Sequence, residues 1–478
     1  MKTKSFMASA VGAVILLLIN ACAVNPVTGK RDLMLISEER ELAMGKESDP
    51  GVISYFGLYD DQKLQDFINT KGKEMAAISH RSHLDFKFRI LDSPVINAFA
   101  VPGGYVYFTR GILAHFNNEA EFAGVLGHEI GHVTARHSAR QQSKQMIYQG
   151  LYTVGMVASK EFRTFSDVAS QSLGLLFLKF SREHETESDR LGVEYSTRVG
   201  YDAKEMANFF GTLDRMRKQS GAEPVPDFLS THPNPVDRFQ NVGRLASEWK
   251  TKLNATNLKV NRNQYLNMID GLVFGEDPRQ GFFENDVFYH PVLKFQFPVP
   301  TQWKTVNTPQ QVQLAPDNGK AAIMFSLAQE KTLQEALAAV IKLDSIKVIE
   351  KKEVKVNGLP AMTMVADQST TIRFLTYLIQ HGKYIYKFHG ISSQQDYSSY
   401  APVFVNTMKN FKPLTDPAKL NVKPDRVRVV SVKSNSTAEQ AFKSYKVKKD
   451  MMETTALLNS MKLTDKVNKG SLIKIVRK

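Results

Sequence analysis

The sequence predicts a multi-domain protein with three folded parts: a mainly helical domain, an α+β domain built on an antiparallel sheet, and a small β-α-α-β module. Three observations lead to this fold class. The chain has 478 residues, of which 42% are hydrophobic, and this length suffices for about three domains. Helical periodicity dominates the first half, and alternating strand patterns dominate residues 287–415. A short strand–helix–helix–strand pattern occupies residues 423–478.

The N-terminus has the shape of an export signal. Lys2 and Lys4 precede an apolar run over residues 6–19, which is too short for a comfortable membrane span. Cys22 is the only cysteine of the chain, so a disulfide within the chain is excluded. It follows a small residue, as at a bacterial lipoprotein cleavage site. We therefore expect a signal peptide over residues 1–21 and a lipid-modified Cys22; the alternative is an ordinary cleavage site beside an incidental cysteine.

The next part of the chain carries the periodicity of a helical domain with a few strands. Residues 22–55 are expected to form an N-terminal arm, and residues 56–255 the first domain. Helical spacing of apolar residues runs from residue 37 to about residue 80. Residues 85–90 alternate as a strand, and residues 97–108 form a second extended stretch that is broken by a Pro-Gly-Gly turn.

The pattern H-E-x-x-H organises the first domain. It lies in Glu119–Arg140, a stretch that the sequence predicts to be one helix with an asparagine cap. Because positions i and i+4 share a helix face, His128 and His132 can bind one metal ion. Glu129 projects beside them, where a carboxylate can accept a proton from water. This arrangement is typical of a zinc hydrolase.

A third ligand is expected on a second helix that begins after Ser181. Glu185 and Asp189 lie one turn apart there. If Glu185 binds zinc, Asp189 can accept a hydrogen bond from the far nitrogen of a ligand histidine. By spacing alone Glu183 is an equal candidate, and the acidic residues can also form a merely exposed face. His137, five residues after the second histidine of the motif, is expected to face away from the pair as a solvated or supporting residue.

These motifs resemble the family of zinc metalloproteases that includes HtpX, the CAAX prenyl proteases and the periplasmic enzymes BepA and LoiP. The similarity covers Asn25 to about Arg244. The matching segments are Asn25-Pro26-Val27-Thr28-Gly29-Lys30, Asn97-Ala98-Phe99-Ala100, Pro102-Gly103-Gly104, the H-E-x-x-H motif, E-x-x-x-D at Glu185 and Asp189, and His232-Pro233 with Arg238. The resemblance implies a zincin-type (gluzincin) domain that binds one Zn²⁺ per chain through His128, His132 and Glu185.

The resemblance also implies roles for three further parts of the domain. In such proteases an edge strand above the metal pairs with the substrate backbone, which assigns Asn97-Ala98-Phe99-Ala100 to peptide binding by β-augmentation. A plain core hairpin is the alternative. The matching His232 lies near the zinc, where it can steady an oxyanion or plug the open metal position. Arg238 is expected to act in catalysis by helping to orient the substrate.

Two stretches complete this half of the chain. Residues 138–179 are rich in Gln, Ser, Met and small apolar residues, and charges interrupt them too often for a membrane span. They are expected to be helices that either cover the cleft as a mobile lid or complete the core. A helix over residues 237–252 closes the domain. Residues 256–286, which contain several Gly and Asp, are expected to be a linker.

Residues 287–415 are expected to form an α+β domain on an antiparallel sheet. The predicted strands are 293–297, 312–314, 322–325 and 383–388, and the predicted helices are 333–343 and 400–411. The pattern resembles the PsbP/Mog-like fold. His290, His381 and His389 are scattered along it, so we expect structural roles for them.

The C-terminal residues 423–478 resemble a LysM domain, a module that binds the glycan strands of peptidoglycan. This module carries fourteen Lys and Arg against five Asp and Glu. It is expected either to bind peptidoglycan or to be a solvated basic cap. The whole chain has a net charge of +14, but no nucleic-acid-binding motif occurs in it, so no nucleic acid partner is expected.

The sequence and the resemblance together predict a lipid-anchored zinc endopeptidase of the bacterial cell envelope. It is expected to face the periplasm from the outer membrane. By resemblance, it hydrolyses peptide bonds of misfolded or stalled envelope proteins with a water that zinc activates. The alternative is an envelope chaperone or a wall-anchored binding protein whose zinc site is latched or idle. A deformylase-type hydrolase would need a cysteine ligand, and the only cysteine follows the leader.

Overall fold

The structure, a computed structural model, describes residues 22–152, 180–219, 228, 231–232, 235–343 and 345–478. The predicted signal peptide and most of the predicted lid segment lie outside these residues. The chain divides into two compact units. The first comprises Met1–Ile53, Gly57–Gly275 and Asp425–Lys478, and the second comprises Ser54–Phe56 and Glu276–Pro424. In the part of the chain that is described, no helix is both long and apolar enough to cross a bilayer.

The first unit is mainly helical, as predicted. Its helices are α1 (Glu38–Phe56), α2 (Gln62–Ala76), α3 (Arg110–His115), α4 (Glu119–Thr134), α5 (His137–Tyr152), α6 (Arg182–Arg198), α7 (Lys204–Gln219), α8 (Pro235–Lys252) and α9 (Arg262–Ile269). Its first strands are β1 (Cys22–Val24), β2 (Arg31–Leu33), β3 (Lys87–Leu91), β4 (Ala98–Val101) and β5 (Tyr105–Thr109). β1 and β2 pair antiparallel, and the other three form a small sheet in the order β3-β5-β4.

Helix α4 lies in the centre of the first unit, with all sixteen of its residues buried. Glycines allow it to approach α6 closely. A Cβ atom on Gly127 would lie 2.9 Å from the carbonyl oxygen of Gly192. A Cβ atom on Gly192 would lie 3.0 Å from the carbonyl oxygen of Gly124 and from the backbone nitrogen of His128. Because no side chain separates the two backbones, residues on the facing sides of α4 and α6 can share one site.

The predicted single helix Glu119–Arg140 is wrong beyond Thr134. Helix α4 ends there, and Arg136 has a φ of 58°, in the left-handed region that few non-glycine residues adopt. The buried guanidinium of Arg136 donates from Nε to Oε2 of Glu41 at 2.8 Å. This ion pair holds the break, and a new helix, α5, begins at His137.

The range predicted as a linker, residues 256–286, contains secondary structure. Helix α9 lies in it and buries Tyr265, Leu266 and Ile269 in the core of the first unit. The hydroxyl of Tyr265 donates to the carbonyl oxygen of Leu113 at 2.7 Å. At least this part of the range is therefore fixed against the helical domain.

The C-terminal residues belong to the first unit and have the predicted strand–helix–helix–strand order. Their elements are β17 (Arg426–Ser431), β18 (Ser436–Thr437), α13 (Ala438–Ser444), α14 (Met452–Leu458), β19 (Lys466–Val467) and β20 (Leu472–Arg477). β17 pairs with β20, and β18 pairs with β19. Lys474 is fully buried, and its Nζ donates to the carbonyl oxygens of Ala114 and Phe116 at 2.8 Å each. The module is thus hydrogen-bonded to the last turn of α3 and to the residue that follows this helix.

The second unit confirms the predicted antiparallel sheet domain. Its strands are β6 (Phe282–Glu284), β7 (Val287–His290), β8 (Phe295–Pro298), β9 (Lys304–Asn307), β10 (Gln311–Ala315), β11 (Ala321–Leu327), β12 (Ile346–Val356), β13 (Leu359–Gln368), β14 (Ile372–His381), β15 (Tyr384–Ser393) and β16 (Lys412–Pro413). Its helices are α10 (Leu333–Ile341), α11 (Tyr397–Lys409) and α12 (Pro417–Leu420). One sheet has the order β12-β13-β14-β15-β11-β10-β9, and the other has the order β16-β8-β7-β6.

Candidate metal centre

Helix α4 presents the H-E-x-x-H residues in the interior of the first unit. Its N-cap is Asn118, whose side chain accepts a hydrogen bond from the backbone nitrogen of Glu121 at 2.8 Å. This confirms the predicted asparagine cap. His128, Glu129 and His132 are all buried. Burying three such polar side chains on one helix costs free energy unless they have hydrogen-bond or ligand partners. Such partners are therefore expected on the elements packed against α4.

Four side chains converge on one point. The ligand atoms of His128, His132, Glu185 and His232 all lie within 4.8 Å of one another. The Nε2 atoms of His128 and His132 are 3.0 Å apart. Glu185 Oε1 lies 3.5 Å from Nε2 of His132, and Glu185 Oε2 lies 3.7 Å from Nε2 of His128. Nitrogen and oxygen donors grouped in this way are what a zinc site requires.

Helix α6 supplies the carboxylate of this group. The helix begins after Ser181, whose side chain accepts from the backbone nitrogen of His184 at 3.3 Å. Glu185 is 2% exposed and faces α4, whereas Glu183 is exposed to solvent. The two glutamates that spacing alone left equal are thus distinguished by burial, and only Glu185 lies with the histidines.

Asp189 and Arg238 lie behind the donor atoms. Oδ1 of Asp189 is 3.0 Å from Nδ1 of His128, the nitrogen on the far side of the ring. Arg238 donates from Nε and Nη2 to the two Asp189 oxygens at 2.8 and 2.7 Å, and its Nη1 lies 3.1 Å from Oε2 of Glu185. Burial alone would raise the pKa of Asp189, but the charge of Arg238 and the hydrogen bonds with His128 and Arg238 together outweigh it and lower this pKa to about 2. The carboxylate therefore stays ionised beside His128.

Glu129 is the one carboxylate of the site without a hydrogen bond. Both of its oxygens are buried, and no group in the described residues donates to them. Burial raises the pKa of Glu129 to about 7. Nε2 of His232 lies 3.7 Å from Oε1 of Glu129. A buried carboxylate with unused acceptor capacity is suited to bind and release a proton.

His232 packs directly against the other three donors. Its Nδ1 lies 3.0 Å from Oε1 of Glu185 and 3.3 Å from Nε2 of His128. Its ring stacks on Phe228, with the ring centroids 4.5 Å apart. Burial alone would lower the pKa of His232, but the charges of Glu185 and Glu129 outweigh it and raise this pKa. The ring therefore lies where it can act as a fourth ligand.

The expectation that His137 faces away from the motif histidines is wrong, and of the two roles expected for it, solvated or supporting, the structure agrees with the supporting one. Its Nδ1 lies 2.9 Å from Nδ1 of His132, and the residue is fully buried. The reason is the helix break: because α4 ends at Thr134 and Arg136 turns the chain, His137 does not follow the α4 periodicity. A continuous helix was assumed in the spacing argument, so the sequence contained no signal for this contact.

Strand β4 contains three of the four residues predicted to bind substrate. It pairs with β5 on one side and is the edge strand of the small sheet. Ala98, Phe99 and Ala100 belong to it, and Asn97 directly precedes it. A small cavity is lined by Ala100 and Val101 of β4 together with His132. The edge strand and the donor cluster are therefore neighbours.

The donor set fits zinc. Two imidazoles and a carboxylate are ligands that zinc takes in proteins, and the far nitrogen of His128 has a carboxylate partner that fixes its ring. The orphaned carboxylate of Glu129 lies beside the donors. No cysteine takes part, in agreement with the composition of the chain.

Two solved structures show a low similarity to parts of this chain. Cyanobacterial PsbP (CyanoP) from Synechocystis has a TM-score of 0.24 and 10% identity, and covers 27% of this chain and 91% of its own. The Ran-binding protein Mog1p of Saccharomyces cerevisiae has a TM-score of 0.22 and 11% identity, and covers 29% of this chain and 99% of its own.

The chain is similar to curated proteins that are named as proteases. The beta-barrel assembly-enhancing protease of Yersinia pestis is 32% identical over 224 residues, which are 45% of this chain and 46% of that protein. The mitochondrial metalloendopeptidase OMA1 of Arabidopsis thaliana is 33% identical over 179 residues, which are 37% of this chain and 35% of that protein. The chain thus spans less than half the length of these relatives. The model of peptidase family M48 matches residues 62–246, which contain all the donor residues described above. This confirms the family resemblance that the motifs indicated: residues 62–246 form a domain of peptidase family M48.

Proposed function

We propose that this chain is a zinc-dependent endopeptidase of the bacterial cell envelope. One observation carries the proposal. The buried ligand atoms of His128, His132 and Glu185 lie together, and beside them is the carboxylate of Glu129, which has no hydrogen-bond partner in the described residues. The similarity of this chain to proteins named metalloendopeptidase and assembly-enhancing protease supports it. The activity is proposed for the whole chain, whereas the family match covers residues 62–246.

In this proposal one zinc ion per chain is held by Nε2 of His128, Nε2 of His132 and the carboxylate of Glu185. When bound, zinc lowers the pKa of water and polarises the carbonyl of the scissile peptide bond. Glu129 accepts the proton from the attacking water and gives it to the leaving amine. Both oxygens of Glu129 are buried and accept no hydrogen bond from the described residues, so the carboxylate is available to take up and release a proton.

Asp189 and Arg238 keep the ligands in place. Asp189 accepts a hydrogen bond from Nδ1 of His128, which leaves Nε2 of that ring free to bind metal. Arg238 bridges Asp189 and Glu185 with three short contacts. Its Nη1 also donates to the carbonyl oxygen of His232 at 3.5 Å, and its Nη2 lies 3.3 Å from Nδ1 of His128. We propose that Arg238 orients the ligands, and through them the substrate-binding site.

The polypeptide substrate is proposed to bind along strand β4. Asn97-Ala98-Phe99-Ala100 would donate and accept backbone hydrogen bonds along the edge that β5 does not use. Such pairing recognises extended backbone and is tolerant of side chains. It therefore suits misfolded or stalled envelope proteins, which expose unpaired backbone.

The leader-like N-terminal sequence supports a proposed location. We propose that residues 1–21 are removed and that lipid on Cys22 anchors the chain to the outer membrane, facing the periplasm. The predicted arm (22–55), protease domain (56–255), α+β domain (287–415) and LysM-like module (423–478) are part of this proposal. Its basic C-terminal module would bind peptidoglycan. Polypeptides, the membrane and the cell wall are then its partners.

The position of His232 favours a second candidate, a site that is latched at rest. Nδ1 of His232 lies as close to the donor atoms of Glu185 and His128 as those atoms lie to each other. In this form the chain would be an envelope chaperone or wall-anchored binding protein until the ring moves. If His232 is a latch, His232→Ala increases cleavage. If His232 steadies the oxyanion, the same substitution decreases it.

Digestion of casein tests the proposed function. Residues 23–478, the Glu129→Gln variant and the matched Glu183→Gln variant would be purified and compared. We expect cleavage by the wild type and by Glu183→Gln, abolition by a chelator, and a loss of about 10²–10⁴-fold in Glu129→Gln. Equal cleavage by Glu129→Gln and the wild type would contradict the assigned role of Glu129.

A further inference from the structure

We propose that His137 and Glu187 are positioning residues that hold His132 in the tautomer whose Nε2 faces the metal, and that Arg140 ties this pair to the N-terminal arm. The inference rests on the zinc site of the proposed function. It concerns how the second histidine of the motif is supported, which neither the H-E-x-x-H pattern nor the family match describes.

The contacts form one continuous line that leads away from the donor cluster. Nδ1 of His132 lies 2.9 Å from Nδ1 of His137. Nε2 of His137 lies 3.0 Å from Oε2 of Glu187. Nη1 of Arg140 donates to the same Glu187 oxygen at 3.0 Å, and Nε of Arg140 lies 3.1 Å from Oδ2 of Asp32 in β2. These contacts thus connect α4 with α5, α6 and strand β2 of the N-terminal arm.

The chemistry of imidazole determines which atom donates and which accepts in each of these hydrogen bonds. A neutral histidine has one N–H donor and one nitrogen acceptor. The ionised Glu187 can only accept, so Nε2 of His137 carries the hydrogen and Nδ1 of His137 is the acceptor. Nδ1 of His132 must then donate to it, which leaves the Nε2 lone pair of His132 free for a metal ion. Ser188 Oγ lies 3.3 Å from the same acceptor and can donate to it as well.

His184 shows that stacking in this part of the core does not by itself produce the hydrogen bonds that His137 makes. Its ring stacks on His137 with the centroids 4.3 Å apart, and it is buried like His137. Neither ring nitrogen of His184 has a hydrogen-bond partner in the described residues. Two neighbouring histidines therefore share the same packing, but only His137 is hydrogen-bonded to a candidate ligand and to a carboxylate. His184 is the matched control that the chain itself supplies.

The outer end of the line lies on the N-terminal arm. Asp32 accepts from Nδ2 of Asn25 at 3.0 Å in addition to its contact with Arg140. The backbone nitrogen of Leu35 donates to Oγ of Ser143 on α5 at 3.0 Å. The arm is thus fixed to the helix that carries His137 and Arg140. Displacing the arm would weaken the hold of Arg140 on Glu187.

The affinity for zinc tests the inference directly. Residues 23–478 and the variants His137→Phe, His137→Asn and His184→Phe would be titrated with zinc in competition with a chromophoric chelator. We expect His137→Phe to weaken binding by about 10–100-fold, because the ring shape stays but the acceptor is lost. His184→Phe should bind like the wild type. His137→Asn, whose Oδ1 can replace the Nδ1 acceptor, should recover most of the affinity.

Three results overturn the inference while the zinc site stands. They are unchanged affinity in His137→Phe, an equal loss in His184→Phe, and no recovery in His137→Asn. If His137→Phe does not fold, Glu187→Ala against the exposed Glu183→Ala makes the same test, and equal affinities in that pair overturn the inference. A wild type that binds no zinc would instead contradict the proposed function.

Discussion

The two units of the chain differ in what they bury. The first unit encloses His128, Glu129 and Glu185 at its centre and surrounds them with partners. The second encloses aromatic rings, among them Phe295 and Phe325 with centroids 5.1 Å apart. Burying ionisable groups costs free energy, whereas burying aromatic surface stabilises a fold. Converging buried ionisable groups are therefore expected where a reaction or a metal ion requires them. By this comparison the candidate active site lies in the first unit.

The second unit contains one instructive exception. His389 is buried there, with Nδ1 2.8 Å from Oγ1 of Thr376. Burial lowers the pKa of His389 to about 3, so the ring is neutral and serves as a hydrogen-bonded core residue. A buried histidine is therefore a site residue only when further donors converge on it, as they do at His128.

The largest effect is expected from breaking the charge pairs of the first unit. Arg238→Met leaves Asp189 and Glu185 buried without their cation, which costs about 3–5 kcal/mol. The free energy of unfolding, followed by the fluorescence of Trp249 in a Trp303→Phe background, should fall by this amount. Zinc affinity should fall with it. The control is Arg244→Met, because Arg244 lies on the same helix and is exposed.

A wild-type zinc affinity in Arg238→Met would show that the three contacts of Arg238 do not support the ligands. A loss of similar size in Arg244→Met would show that the effect belongs to helix α8 in general. Either outcome would contradict the view that the buried ion pairs of the first unit serve the metal site.

An effect of similar size but different character is expected in the second unit. Phe295→Ala opens a cavity among aromatic rings and costs about 3–5 kcal/mol. The unfolding of this unit, followed by Trp303 in a Trp249→Phe background, should shift to lower denaturant concentration. Zinc affinity should not change, because every candidate ligand lies in the first unit. Loss of zinc in Phe295→Ala would contradict the separation of the two roles.

A smaller effect is expected where the C-terminal module meets the helical domain. Lys474→Met removes the two hydrogen bonds to the carbonyl oxygens of Ala114 and Phe116. Leaving a buried acceptor unpaired costs about 1–3 kcal/mol. The first unit should lose this much stability, measured through Trp249. Lys466→Met, an exposed lysine of the same module, should have no effect; an equal loss there would contradict the prediction.

The effect that is smallest near neutral pH, and that grows only as the pH falls, is a pH dependence in the second unit. The pKa of His389 is about 3 in the folded chain, below the ordinary value of 6.5. The unfolded chain therefore binds a proton first as the pH falls, and stability is lost between pH 6.5 and 3, by about 1.4 kcal/mol per pH unit. His389→Asn, which can keep a hydrogen bond to Thr376, should remove this slope. An unchanged slope in that variant would assign it to other groups.

Much of the site was predictable because it depends on short-range geometry. The i, i+4 spacing of His128 and His132 needs only a helix, and the choice of Glu185 followed from the family motif. The break after Thr134 was not predictable. It is held by the contact between Arg136 and Glu41, which are 95 residues apart in the chain. Periodicity cannot detect such a contact, and no glycine or proline marks the turn.

The same distinction applies to the second unit. Strands with an alternating apolar face, such as β10 and β11, were predicted close to their observed bounds. Strand β12 was missed because most of its residues are exposed and many are Lys or Glu, so it lacks the apolar alternation that marks a strand. Strand β12 is held by backbone hydrogen bonds to β13. Because such bonds do not depend on the side chains, the sequence pattern does not reveal them.

Metal analysis of the purified residues 23–478 addresses the metal centre most directly. Elemental analysis would give the zinc content, and X-ray absorption at the zinc edge would give the ligand types. We expect one zinc per chain with nitrogen and oxygen ligands only, and its loss in His132→Ala and Glu185→Ala but not in Glu183→Ala. A chain without zinc, or one whose zinc survives both ligand substitutions, would contradict the assignment of His128, His132 and Glu185.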